Sequence, residues 1–308
     1  MHVNLLVGMP GSGKSGYAKS LTGYTLLNRD AMGGSVPDLI PKMVDAIKAG
    51  QNVCLDNTNP MIQHRQPFIK AAKDAGADVT ITWFNTSAED CQINVLFRML
   101  ERYGKLFFDE EQLKEVNKKD PNMMPPHVLF RFKKILEAPT ENEGCPVNIV
   151  PFVRKYPSDF VNKALLLDYD GTLRETENGK WPTEPGQIDI KPNRMRTIHK
   201  YEKKGYKLLG VSNQSAIAKG ELTEAQAIDC FEHTNKFLGH NIEYKFCKHQ
   251  SAPISCYCRK PQSGFGVYFI WKHKLNPAEC IMVGDQTSDK TFATRLGFQY
   301  VDQEEFFA

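Results

Sequence analysis

The stretch LLLDYDGTL, residues 165–173, is an apolar run of strand length that stops at two aspartates and a glycine. Consecutive leucines with no polar residue between them suit a strand covered on both faces, as in a parallel sheet wrapped by helices. Ligands of such sheets gather at the carboxyl ends of the strands, which is where the two carboxylates fall. Asp168 can act there as a nucleophile on phosphorus, giving an aspartyl-phosphate. Asp170 can protonate the leaving alkoxide and then activate water. Gly171 permits the sharp turn that exposes both.

Downstream, three further stretches supply the remaining parts of such a site. VSNQ puts Ser212 after a second apolar run, where its hydroxyl can bind phosphate. CRKP puts Lys260 where an ammonium can neutralise it, and VGDQTSD puts Asp285 and Asp289 where they can hold Mg²⁺. Asp168 and Ser212 are 44 positions apart, and Ser212 and Lys260 are 48 apart. Those intervals accommodate helices, one strand and a loop but no large cap domain, so the site is expected to be open. Between the last two stations lies CKHQSAPISCYC, with Cys247, His249, Cys256 and Cys258. Three thiolates and one imidazole complete a tetrahedral zinc shell, and a closed shell predicts a structural ion that pins the loop leading into Arg259 and Lys260.

Upstream, GMPGSGKS at residues 8–15 fits G-x-x-x-x-G-K-[ST], with a strand-like run before it and a helical stretch after it. Gly8, Gly11, Ser12 and Gly13 turn the backbone so that N–H groups face phosphate oxygens. Lys14 is expected at the β/γ phosphates of ATP or another NTP, and the Ser15 hydroxyl on Mg²⁺. LNRDAMGG and LDNTNP place Asp30 and Asp56 just after the second and third strands of this half. A carboxylate there can accept the proton of an attacking hydroxyl, which is a kinase role.

Apolar runs alternate with helical stretches through both halves. Residues 138–159, APTENEGCPVNIVPFVRKYPSD, form the join, and residues 104–128 read as an irregular lid over the nucleotide with a loop at KKDPNMMPPH. Hydrophobic residues make up 41% and charged residues 24%, with a net charge of +3, so bulk electrostatic capture of long nucleic acid is not signalled. No run approaches the roughly 20 apolar residues of a membrane span, and the N-terminal run reads as a strand rather than a leader. Three of the eight cysteines crowd into residues 247–258 and five are scattered, which suits a reducing, cytoplasmic setting with one metal site. Cys54, Cys91, Cys230 and Cys280 read as core thiols, and Trp181, in the loop NGKWPTEPGQ, as a cleft residue.

Together GMPGSGKS, NRDAMG, DNTNP followed by Arg65, and FRFKKILEAPTENEG resemble the kinase domain of polynucleotide kinase 3′-phosphatases over most of residues 1–155. The resemblance implies that Asp30 is the general base on a 5′-hydroxyl. It puts Asp56 and Arg65 among the nucleotide, acceptor or metal contacts, and makes Arg98, with Arg102 as rival, the lid arginine on the transferring phosphoryl group. Residues 163–303 resemble the haloacid dehalogenase superfamily, which implies Asp168, Asp170, Asp285 and Asp289 as the Mg²⁺ set. The cysteine loop is similar to that of heptose-bisphosphate phosphatases. The expected fold is therefore α/β. It has two parallel-sheet, three-layer domains, a P-loop kinase over residues 1–158 followed by an uncapped haloacid dehalogenase-like phosphatase over 159–308. The expected function is the healing of DNA or RNA ends, with 5′-phosphorylation and 3′-dephosphorylation and a ligase acting downstream. The alternative is a small-metabolite kinase fused to a sugar-phosphate phosphatase of the heptose-bisphosphate or histidinol-phosphate type.

Overall fold

The structure, a computed structural model, describes residues 1–252 and 256–308. The chain forms two compact units. One comprises Met1–Val95 and His127–Arg154, and the other Leu96–Pro126 and Lys155–Ala308. Each is an α/β body built on its own parallel sheet, as the alternation of apolar runs and helical stretches predicts.

In the first unit the strands are β1 (His2–Gly8), β2 (Tyr24–Leu27), β3 (Asn52–Leu55), β4 (Asp78–Asn85) and β5 (Val147–Pro151), in sheet order β2-β3-β1-β4-β5. The helices interleaved with them are α1 (Lys14–Ser20), α2 (Arg29–Met32), α3 (Leu39–Lys48) and α4 (Ile62–Asp74). Central β1 pairs in parallel with β3 on one side and β4 on the other. Its residues from Val3 to Gly8 are all buried, because helices cover both faces. Leu5 and Val7 pack with Leu39, Met43, Phe68 and Ile69 of α3 and α4, whereas Leu6 faces Ala18 of α1 and Phe84. Alternate residues of one strand thus serve two different helical layers.

α5 (Ala88–Tyr103) begins in the first unit and ends in the second, and α6 (Glu110–Lys119) belongs to the second. Residues 104–128 are therefore not uniformly irregular. EEQLKEVNKK forms a helix that buries Leu113 and exposes its charges, a pattern with too few apolar residues to stand out in sequence. α7 (Pro126–Ile135) returns the chain to β5.

The second sheet contains β6 (Ala164–Leu167), then, after the short antiparallel pair β7 (Arg174–Glu175) and β8 (Asp189–Ile190), β9 (Lys207–Asn213), β10 (Glu243–Cys247), β11 (Ile281–Gly284) and β12 (Gln299–Asp302). Its order is β10-β9-β6-β11-β12, all parallel. The helices are α8 (Arg194–Lys203), α9 (Ser215–Ala218), α10 (Glu224–Leu238), α11 (Gly264–His273), α12 (Thr287–Leu296) and α13 (Gln303–Phe306). Among the described residues no cap domain interrupts these connections. From β6 the chain winds to β9 and β10 on one side and then crosses to β11 on the other. This reversal leaves a crevice at the carboxyl ends of β6 and β11. Burial pushes the Cys54, Cys91 and Cys280 thiols up to about 12, as befits core residues. No helix among the described residues is long and apolar enough to cross a membrane.

Candidate active sites

The carboxyl ends of the second sheet bring five of the residues singled out in sequence to one cavity. Asp168, Asp170, Ser212, Lys260 and Asp285 line a space of about 550 Å³, with Lys180, Trp181 and Arg259 on its walls. Lys260 lies at its floor, its side chain 1% exposed. Its Nζ is 2.8 Å from Asp168 Oδ1 and 2.7 Å from Asp289 Oδ1, and donates to the Val211 carbonyl at 2.7 Å. Burial pushes the Asp168 carboxyl up to about 7 against the pull of that ammonium. Burial alone would lower the Lys260 pKa, but Asp168 and Asp289 outweigh it and hold it above its ordinary value.

Asp170 is held differently. Its Oδ1 accepts from Arg174 Nε at 2.7 Å and its Oδ2 from Gln214 Nε2 at 2.7 Å. Gln214 also donates to Ser212 Oγ at 3.0 Å, which links the candidate phosphate-binding hydroxyl to the candidate acid–base residue. Arg174 is buried against the rings of Tyr169 and Phe231 and donates to the Cys230 carbonyl and Thr234 Oγ1. Asn213 exchanges two hydrogen bonds with the backbone of Lys260, 2.9 and 3.0 Å long, and so sets the lysine's entry into the site. Neither Arg174, Asn213 nor Gln214 was picked out from sequence, although the last two adjoin Ser212 and Arg174 follows DYDGTL directly.

Asp168, Asp285 and Asp289 offer carboxylate oxygens that lie within 4.8 Å of one another. All-oxygen donors suit a hard divalent cation such as Mg²⁺. Asp170, expected in the Mg²⁺ set, stands outside this group because both of its oxygens face Arg174 and Gln214. The approach is tight enough to require glycine at 171. Its φ is +83°, and a Cβ there would come within 2.5 Å of Asp285 Oδ2.

The cysteine loop fits an ion as well. The donor atoms of Cys247, His249, Cys256 and Cys258 lie within 4.8 Å of one another. His249 Nδ1 is 3.4 Å from Cys247 Sγ and 3.1 Å from Cys258 Sγ, and the sulfurs of Cys247 and Cys256 are 3.8 Å apart. Bonds of about 2.3 Å to a tetrahedral ion place thiolates roughly 3.8 Å from one another. These four side chains could therefore hold one metal with little movement.

In the first unit GMPGSGKS forms the turn from β1 into α1. Gly8 has φ +155°, and a Cβ there would lie 2.9 Å from Ser12 Oγ and 3.0 Å from the Phe84 carbonyl oxygen. Gly11 and Gly13 also have positive φ, at +80° and +97°. Lys14 is 6% exposed, and its ammonium donates to the carbonyls of Gly8 and Met9 at 3.0 and 2.8 Å. Ser15 is exposed. Asn94 braces the loop from α5 by donating to the Gly11 carbonyl at 2.8 Å, and Arg154 in turn donates to Asn94 Oδ1 at 2.7 Å.

Asn28 links Asp56 to α2, the helix that carries Asp30. Its Nδ2 donates to the Asp56 carbonyl at 2.6 Å and to Asp56 Oδ2 at 3.1 Å, while its Oδ1 caps α2 at Ala31 N. Asp56 is 4% exposed. Asp30, in the first turn of α2, is exposed and pairs with Arg29. Arg98 lies on the part of α5 that belongs to the second unit, with Nη1 3.5 Å from Asn122 Oδ1, and Arg102 pairs with Asp120.

Arg65 needs correction as a cofactor contact. It is 0% exposed. Its Nε and Nη2 each donate to Glu143 at 2.7 Å, and Nη1 donates to the carbonyls of Asn59, Pro60 and Glu137. Its guanidinium is committed to the protein, so it braces the DNTNP turn rather than a ligand. The partner could not be read locally, because Glu143 lies 78 positions away.

The fold and these sites define a P-loop kinase domain fused to a haloacid dehalogenase-superfamily phosphatase domain. An AAA domain model matches residues 3–119, and a HAD-hydrolase-like model matches residues 257–301. The D-glycero-beta-D-manno-heptose-1,7-bisphosphate 7-phosphatase of Haemophilus influenzae is 34% identical over 145 residues, 42% of this chain and 74% of that protein. The probable D-glycero-D-manno-heptose-1,7-bisphosphate 7-phosphatase of Thermoplasma volcanium is 30% identical over 139 residues, 44% of this chain and 93% of that protein. The bifunctional polynucleotide phosphatase/kinase of Schizosaccharomyces pombe is 30% identical over 152 residues, 48% of this chain and 33% of that protein. The chain belongs to the haloacid dehalogenase-like phosphatase family that includes the heptose-bisphosphate phosphatases.

Proposed function

We propose that the second unit hydrolyses a sugar-phosphate monoester and that the first transfers phosphate from ATP to a hydroxyl. The observation that carries the sugar-phosphate reading is the likeness to heptose-bisphosphate phosphatases, which spans 74% and 93% of two such proteins. The open cavity at the carboxyl end of β6 agrees with it.

In the proposed reaction Asp168 attacks phosphorus, and the bond to the leaving oxygen breaks as Asp170 gives it a proton. Water then attacks the aspartyl-phosphate, passes a proton to Asp170 and regenerates the Asp168 carboxylate. Mg²⁺ bound by Asp168, Asp285 and Asp289 would offset the charge of the phosphoryl oxygens. Ser212 and Lys260 bind the transferring group, and Gln214 keeps Ser212 and Asp170 in register. Zn²⁺ in the cysteine loop would be structural, since four protein donors leave no position for water.

A second reading is nucleic-acid end healing, in which the kinase acts on 5′-hydroxyls and the phosphatase on 3′-phosphates, with a ligase downstream. The S. pombe relative supports it, as does the Asn28–Asp56 link that joins the NRD and DNTNP stretches. On this reading Asp30 is the base, and Arg98 or Arg102 contacts the transferring phosphoryl group.

One panel separates the readings. The enzyme with Mg²⁺ is offered heptose bisphosphate, histidinol phosphate and 3′-phosphorylated DNA and RNA oligomers. Labelled ATP is offered with free sugars and with 5′-hydroxyl oligomers. The sugar-phosphate proposal expects at least tenfold higher kcat/KM on a sugar phosphate, about 1.4 kcal/mol of preferential transition-state binding. Preference for the oligomers in both arms overturns it in favour of end healing. Lys14→Ala is expected to reduce label transfer by about 10²-fold or more, as removal of a charge-stabilising donor does elsewhere, with phosphomonoester hydrolysis unchanged. A parallel loss of hydrolysis would contradict separate sites.

A further inference from the structure

His249 has two faces. Its Nδ1 points among the thiols of the cysteine loop, whereas its Nε2 lies 3.2 Å from Asp109 Oδ1. Asp109 comes from the segment between α5 and α6, 140 positions away in sequence. An imidazole that binds a metal through Nδ1 carries its proton on Nε2, and a carboxylate accepting that proton orients the ring and raises its basicity. The stretch from this segment to the residues beyond α6 is fastened at both ends. Phe108 packs edge-on against Phe265 at 5.0 Å. At the far end Tyr257, between Cys256 and Cys258, donates its buried hydroxyl to the Met124 carbonyl at 2.7 Å. Leu113, Met123 and Met124 are buried.

We propose that Asp109 is the outer partner of the metal-bound His249, and that the metal site clamps residues 104–126 onto the phosphatase unit. The inference rests on reading the cysteine cluster as a zinc site. The ion orders one loop directly and this second segment through His249 and Tyr257. Removing it frees the imidazole to turn, takes the Asp109 contact away, and unfixes Tyr257 between its two cysteines. Asp109 stands at the N-cap position of α6 but its side chain makes no capping hydrogen bond. Substitution therefore tests the metal contact without removing a cap.

The test uses the full chain as purified, with its zinc counted by metal analysis, and compares it with Asp109→Ala and Asp109→Asn. Zinc release to a chromophoric chelator and hydrogen exchange over residues 104–126 are followed in each protein, before and after chelation. Asp109→Ala is expected to release zinc about tenfold faster or more and to lose protection over α6, with Asp109→Asn between it and wild type. Chelated wild type is expected to lose protection over the same residues. Wild-type release kinetics in Asp109→Ala, or unchanged protection over 104–126 after chelation, would overturn the clamp. A purified protein that neither contains nor binds zinc would instead remove the zinc reading on which it rests.

Discussion

Asp168→Asn is expected to lower phosphomonoester hydrolysis by about three orders of magnitude or more, roughly 4 kcal/mol of lost transition-state stabilisation. Phosphate transfer from ATP should stay within about twofold, because Asp168 lies in the second unit and the phosphate loop in the first. The amide keeps the shape of the side chain but cannot form an acyl-phosphate. Lys260 still has Asp289 at 2.7 Å, so its charge is not stranded in the core and the protein should remain folded. Initial rates on a phosphomonoester and on labelled ATP, with a thermal melt as the folding control, decide the matter. Retained hydrolysis would place the nucleophile elsewhere. Loss of both activities in a folded protein would contradict the assignment of one reaction to each unit.

Arg65→Ala is expected to cost about 3–5 kcal/mol of stability, the usual effect of removing one partner from a buried ion pair. The side chains of Arg65 and Glu143 are 0% and 3% exposed. The change would bury an uncompensated carboxylate and take the donor from three carbonyls at once. It would also loosen the base of the phosphate loop. Asn59, held in place by Arg65, donates to the Leu6 carbonyl at 2.8 Å, and Gly8 N donates to the Thr58 carbonyl at 3.1 Å. Replacing both partners, Arg65→Met with Glu143→Leu, should recover much of the loss, because apolar side chains carry no desolvation penalty. Denaturant melts of the single and double variants measure both effects. A single-variant loss below about 1 kcal/mol, typical of an exposed pair, would show that the pair does not brace the DNTNP turn.

The parts legible in sequence were those encoded locally. The apolar runs at VNLLVG, NVCLD, ALLLDYD and CIMVGD became central strands, and the residues just beyond them fell at the carboxyl ends of the sheets. A covered parallel strand leaves its own signature, and its ligands gather at one end. The spacing of Cys247, His249, Cys256 and Cys258 likewise announced a cluster, because all four donors come from one short loop. The helix at 110–119 was missed, since a single buried leucine in a charged run gives almost no periodic signal.

By itself the sequence determined two parallel α/β bodies and the residue types available at their strand ends. Tertiary structure alone decided which side chains work together. It closed Arg65 on Glu143, set Arg174 and Gln214 on either side of Asp170, and brought Asp109 to His249. It also joined residues 96–126 to the second unit. Each of these partnerships depends on where a charge or a donor ends up once water is excluded, and that depends on the packing of elements far apart along the chain.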